Sequence, residues 1–163
     1  MIKKFKKIVI KIGSSSIVNE TTKKIKKEWL SSICKDIKSI HPNHKIIIVC
    51  SGAIALGTKL ISGNNLKRLE DKQAAAAIGQ IELAKNWEQG LKKNKISAAQ
   101  ILITLNDSEV RRRYLNVRKT INALHKKNII PIINENDSVA TEEIRFGDND
   151  RLAARVAQMI DAN

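Results

Sequence analysis

Aromatic side chains make up only 3% of the 163-residue chain. That scarcity weighs against a nucleic-acid binder, because unpaired bases need stacking platforms. Cysteine is rarer still. Cys34 and Cys50 stand far apart in apolar segments, which fits two reduced core thiols better than a disulfide framework or a metal site. Long hydrophobic runs are missing too, so neither a membrane-spanning helix nor the apolar region of a signal peptide can be placed, and a cytoplasmic, membrane-free protein is expected. The chain has no G-x-x-x-x-G-K-[ST] loop and no G-x-G-x-x-G after a strand, which argues against P-loop and Rossmann dinucleotide proteins. No Ser-His-Asp or Cys-His pairing suggests itself, since His41, His44 and His125 fall in lysine-rich segments at helix ends or turns and read as surface residues.

Positive charge is abundant, at a net +14. It is unevenly spread: residues 1–127 hold all 22 lysines and carry +18, whereas residues 128–163 carry −4. Lys23, Lys24, Lys26 and Lys27 sit where a helix faces solvent, so a solvated lysine surface explains the charge better than a polyanion-binding patch. Arg111, Arg112 and Arg113 form a candidate anion contact or an ordinary piece of helix surface.

With 42% hydrophobic residues, a chain of this length fits one domain that buries roughly 70% of its unfolded surface. Apolar runs of strand length fall at 7–12, 45–50, 98–104 and 129–133 and read as fully buried strands; helical spacing covers 23–40, 70–93, 114–127 and a closing segment from about 150. The alternation predicts an α/β fold with a mostly parallel sheet covered by helices on both faces.

Open parallel sheets bind ligands beyond the carboxyl ends of their strands, and there this chain places "KIGSSS", "CSGAIALG", "NENDSVAT" and "GDND". Turns and helix caps explain part of each loop. They do not explain Asn134, Glu135, Asn136 and Asp137 crowded after "IIPII", nor all three of Asp148, Asn149 and Asp150 before one helix. Lys11 either snorkels to solvent or stands as a fixed cation for a phosphoryl group.

Taken together, "IKIGSSS", "IIIVCSGAIALG", "DKQAAAAIGQ", "YLNVRKTINAL", "IIPIINENDSVAT" and "GDNDRLAARVA" resemble the amino acid kinase family, in its glutamate-phosphorylating branch. The resemblance runs through essentially the whole chain. It implies a three-layer αβα sandwich, magnesium carried on ATP, and transfer of the γ-phosphoryl to the side-chain carboxylate of L-glutamate in proline biosynthesis. It further implies that Lys11 contacts nucleotide phosphate and the transferring group, that Ser51, Asp137 and Asn149 bind glutamate, that Asp150 organises the catalytic lysines, and that Gly13 and Gly52 supply backbone donors. Proline as feedback inhibitor at an overlapping site and a homo-oligomer follow from the same likeness; nucleic acid does not. In "VCSGA" cysteine stands where the family usually has threonine, which puts Cys50 beside the glutamate site.

Relatives continue past "RLAARVAQMIDAN", so residues 1–163 correspond to an N-terminal, glutamate-binding half, with the nucleotide-binding half and a C-terminal domain absent from this truncated chain. Sheet strands missing at that point would leave an unpaired edge open to association. The alternative is a non-catalytic remnant that binds glutamate or proline.

Overall fold

The computed structural model describes residues 4–61, 66, 68–139 and 148–162. Strands β1 (Lys7–Ile12), β2 (Lys45–Cys50), β3 (Ser97–Ile103) and β4 (Ile129–Glu135) form one parallel sheet in the order β1-β2-β4-β3. Among the described residues, the helices are α1 (Ser14–Ile17), α2 (Lys27–Ile40), α3 (Ala53–Gly57), α4 (Leu69–Lys92), α5 (Leu105–Glu109), α6 (Arg111–Lys126) and α7 (Asp148–Met159). This is the α/β architecture that the alternating pattern predicts.

Strand residues alternate between faces, and the alternation sorts the core into two layers. On one side, Ile46, Ile48 and Cys50 of β2 and Ile130 and Ile132 of β4 pack against Leu30, Cys34 and Ile37 of α2 and Leu83, Trp87 and Leu91 of α4. On the other, Ile47 and Val49 of β2 and Ile133 of β4 meet Ile121 of α6 and Leu152, Val156 and Met159 of α7. Each such side chain withdrawn from water contributes roughly 1.5–3 kcal/mol. Burial pushes the Cys34 thiol up to about 11 and the Cys50 thiol to about 12, so both are inert, unpaired core thiols at neutral pH.

Three expectations need correction. Only the two central strands are buried on both faces, because β1 and β3 are the sheet edges and stay partly exposed along most of their length. Lys23, Lys24 and Lys26 precede α2 rather than ride on it: Lys23 has φ 52°, and Lys26 donates to the Ser15 carbonyl at 2.8 Å. His44 and His125 are buried, not surface residues, since each ring N–H finds a carbonyl: His44 Nδ1 donates to Phe5 at 2.5 Å and His125 Nε2 to Ile46 at 3.1 Å.

Candidate active site

Lys11 lies on β1, the first strand of the edge pair. Ile10 and Ile12 turn toward α2 and α4, so Val9 and Lys11 turn to the opposite face, where Val9 packs with α7. Helix α7 runs back along that strand. Lys7 meets its far end, donating from Nζ to the Ile160 carbonyl at 2.5 Å, and Lys11 meets its first turn, with Nζ 2.7 Å from Asp150 Oδ1. The Lys11 side chain is 34% exposed and that of Asp150 64%. Lys11 is therefore a half-solvated edge lysine rather than one buried in the sheet, and a pair so exposed adds about 0–1 kcal/mol to folding. Its value is positional, because it holds the ammonium group over Gly13, whose added Cβ would stand 3.7 Å from Nζ.

At the end of β2, the Ser51 amide donates to the Ile12 carbonyl at 3.0 Å, prolonging the ladder between β1 and β2 by one bond. The chain then turns at Gly52, where φ is 116° and a Cβ would come within 3.0 Å of Val18 Cγ2; only glycine fits both constraints. Helix α3 follows with no side-chain cap, so capping does not explain Ser51. The turn is held down from above: a Cβ on Gly79 of α4 would lie 1.8 Å from the Ala53 carbonyl, and one on Gly57 1.8 Å from that of Ala75. The small residues of "QAAAAIGQ" thus let α4 seat α3 and the Ser51–Gly52 turn.

At the end of β4, Asn134 is 1% and Asp137 9% exposed. Ala140, Thr141 and Gly147, singled out in the sequence, lie outside the described residues.

These loops enclose one cavity of about 440 Å³, lined by Lys11, Gly13, Ser51, Gly52, Asp137, Asn149 and Asp150 together with Ser14, Lys72, Asn134 and Glu135. Its size is ordinary for a small-molecule site. Two lysines and several carboxylate and amide oxygens share its wall, and two of those oxygens, Asn134 Oδ1 and Asn149 Oδ1, are buried without a hydrogen-bond partner. Orphaned buried acceptors are rare and point to a missing donor. Cys50, by contrast, is absent from the lining and faces the α2–α4 core, which corrects the expectation that it adjoins the site.

Arg111, Arg112 and Arg113 open α6 as exposed helix surface, with Arg113 held by Asp107 at 3.2 Å. Burial raises the Asp107 carboxyl, but bonds from the Thr104 amide and hydroxyl and the Arg113 charge outweigh it and hold it below its usual range. Among the described residues, no group of three or more His, Cys, Asp or Glu is placed to hold a metal ion, and no helix is long and apolar enough to cross a membrane.

A model of the amino acid kinase family matches residues 6–163. The chain belongs to the amino acid kinase family. Among curated proteins it is 50% identical over 159 residues to a glutamate 5-kinase of Paramagnetospirillum magneticum, covering 97% of this chain and 43% of the relative. It is 55% identical over 159 residues to one of Agrobacterium fabrum (96% and 41%) and 52% identical over 164 residues to one of Sinorhizobium fredii (99% and 42%). The chain thus spans about two fifths of the length of these relatives. Among solved structures, a UMP kinase from Bacillus anthracis superposes with a TM-score of 0.64 at 13% identity, covering 97% of this chain and 62% of that one, a likeness of fold.

Within the amino acid kinase fold, the structure brings Lys11, Gly13, Ser51, Gly52, Asp137, Asn149 and Asp150 to one cavity, whereas Asn136 and the Arg111–Arg113 cluster do not line it. It adds Lys72, which stands in the "DKQAAAAIGQ" segment of the resemblance with no role assigned, since a lysine in the first turns of a long helix looks like any other in this chain. Among the described residues Lys72 has no ion-pair partner, whereas Lys11 is already engaged.

Proposed function

We propose that this chain is the amino-acid-binding part of a glutamate 5-kinase, which phosphorylates the side-chain carboxylate of L-glutamate with ATP. The observation that carries the reading is the pairing, in one cavity, of lysine cations with two orphaned amide oxygens. An amino acid with a second carboxylate needs both polarities, because its ammonium must meet acceptors and its carboxylates must meet cations, hydroxyls and N–H groups.

In this reading Asp137, Asn149 and Ser51 bind glutamate, while Gly13 and Gly52 bring backbone close to the anionic groups. Lys11, steered by Asp150, stands at the transferring phosphoryl. A carboxylate oxygen of glutamate forms the new bond to phosphorus as the bond to the ADP oxygen breaks. The chain's residues act by alignment and charge neutralisation, since phosphoryl transfer requires little covalent help from protein. Magnesium, carried on the ATP oxygens, would offset negative charge on the phosphates.

The domain assignment follows the same reading: residues 1–163 form the glutamate-binding half, and the residues that hold the rest of ATP belong to the part of the relatives this chain does not span. A cytoplasmic location, proline inhibition at an overlapping site and self-association are parts of the proposal. The test is glutamate-dependent ADP release with magnesium. Activity that Lys11→Ala lowers about 10²–10³-fold supports catalysis by this chain. Glutamate binding without ADP release favours the non-catalytic alternative. A chain that binds neither glutamate nor proline refutes both.

A further inference from the structure

Of the segment "DKQAAAAIGQ", Lys72 reaches the cavity and Gly79 admits α3, but Gln80 lies behind the wall and lines nothing. Its side chain is nevertheless committed. Gln80 Oε1 accepts a hydrogen bond from Asn134 Nδ2 at 2.6 Å, across 54 residues of sequence. Register explains the meeting: Ile130 and Ile132 of β4 face α4, so Asn134, two residues further on, faces it as well. With the amino group of Asn134 occupied by α4, its Oδ1 remains at the cavity wall, buried and unpartnered.

An asparagine amide has two orientations of nearly equal shape and opposite polarity. Turned one way it offers the cavity an acceptor, and turned the other way a donor. The ligand's requirement is one-sided, because fully ionised L-glutamate carries hydrogen-bond donors only at its α-ammonium. We infer that Gln80 is a positioning residue for that group: with its Oε1 taking one Asn134 amino proton, it holds the Asn134 oxygen toward the cavity to receive the substrate ammonium. The inference rests on the glutamate proposal and deepens it, since it makes preference for an α-amino acid over a plain dicarboxylate depend on a residue that never touches ligand.

The experiment is a set of calorimetric titrations of L-glutamate and of glutarate, which has both carboxylates and no ammonium, into the full chain and its variants. The parent chain should prefer glutamate. Gln80→Glu, whose carboxylate can only accept, should keep the preference. Gln80→Lys, which can only donate, turns the Asn134 amide around and should lower the glutamate-to-glutarate ratio about tenfold, with glutarate affinity changed less than about twofold. Should circular dichroism show Gln80→Lys unfolded, Gln80→Met removes the acceptor without adding charge, and its ratio should fall about threefold. A Gln80→Lys or Gln80→Met chain that keeps the parental ratio, or that loses both ligands in proportion, overturns the positioning role while leaving the glutamate proposal standing. A parent chain with no preference for glutamate over glutarate overturns the glutamate proposal and this inference together.

Discussion

The two ends of the sheet handle buried polar groups differently. At the amino end, Lys7 is tied to the Ile160 carbonyl, His44 to Phe5 and His125 to Ile46, and His41 takes a backbone bond at Asn128 while its Nδ1 stays buried without a partner. At the carboxyl end, Asn134 and Asn149 each keep a buried oxygen with no partner, and Lys72 lines the cavity unpaired among the described residues. Satisfied polar groups hold a fold together, whereas unsatisfied ones cost stability and persist where a ligand supplies the partner. The difference is one of degree and of place, since the unpartnered oxygens at the carboxyl end belong to residues that line the cavity and the His41 nitrogen does not.

Substitutions can break the contrast. The largest effect is expected at Lys11: under the proposed function, Lys11→Met should reduce any glutamate-dependent ADP release about 10²–10³-fold, yet leave the unfolding free energy in urea within about 1 kcal/mol of the parent, because the ion pair is mostly solvated. At the other end the signs exchange. His125→Ala orphans the Ile46 carbonyl and should cost about 1–3 kcal/mol in chemical denaturation, with glutamate affinity unchanged. Smaller again, Asn149→Ala should weaken glutamate about tenfold while stability stays within about 0.5 kcal/mol, since its buried Oδ1 has no partner to lose. A variant that moved both properties together would erase the distinction between the ends.

The smallest effect is a pH dependence that belongs to the amino end alone. Burial lowers the pKa of His125, against the Ile46 bond and reinforced by the charges of Lys45, Lys7 and His41. Burial lowers His41 as well, against its bond at Asn128. Above the usual value of 6.5 both rings are neutral whether folded or not, so stability is flat. As pH falls below 6.5 the unfolded chain takes up protons first, and stability declines until the folded rings also protonate. Melting temperature should therefore drop between pH 7 and pH 5, and drop less in His125→Gln.

The sequence carries much of the carboxyl end and little of the amino end. Glycine turns and clustered Asn and Asp are local signals, so Ser51, Asp137, Asn149 and Asp150 stand out in the sequence, and the family resemblance supplies the roles it implies for them. The assembly of these residues follows from strands that all point one way. The lysine-rich flanks of His44 and His125 suggest surface, while their burial depends on carbonyls 39 and 79 residues away. Strand order is likewise nonlocal, so nothing in "IVIKI" or "AAQILI" marks β1 and β3 as edges. The link between Gln80 and Asn134 is hidden for the same reason, since it spans 54 residues of sequence.

The most direct measurement is calorimetric titration of L-glutamate into the chain and into Asp137→Asn, which keeps the shape of the cavity wall and removes one negative charge. The account predicts saturable one-to-one binding by the parent, weakened at least about tenfold in the variant, with unchanged circular dichroism. Parental affinity in Asp137→Asn, or no saturable binding to the parent at millimolar glutamate, would contradict it.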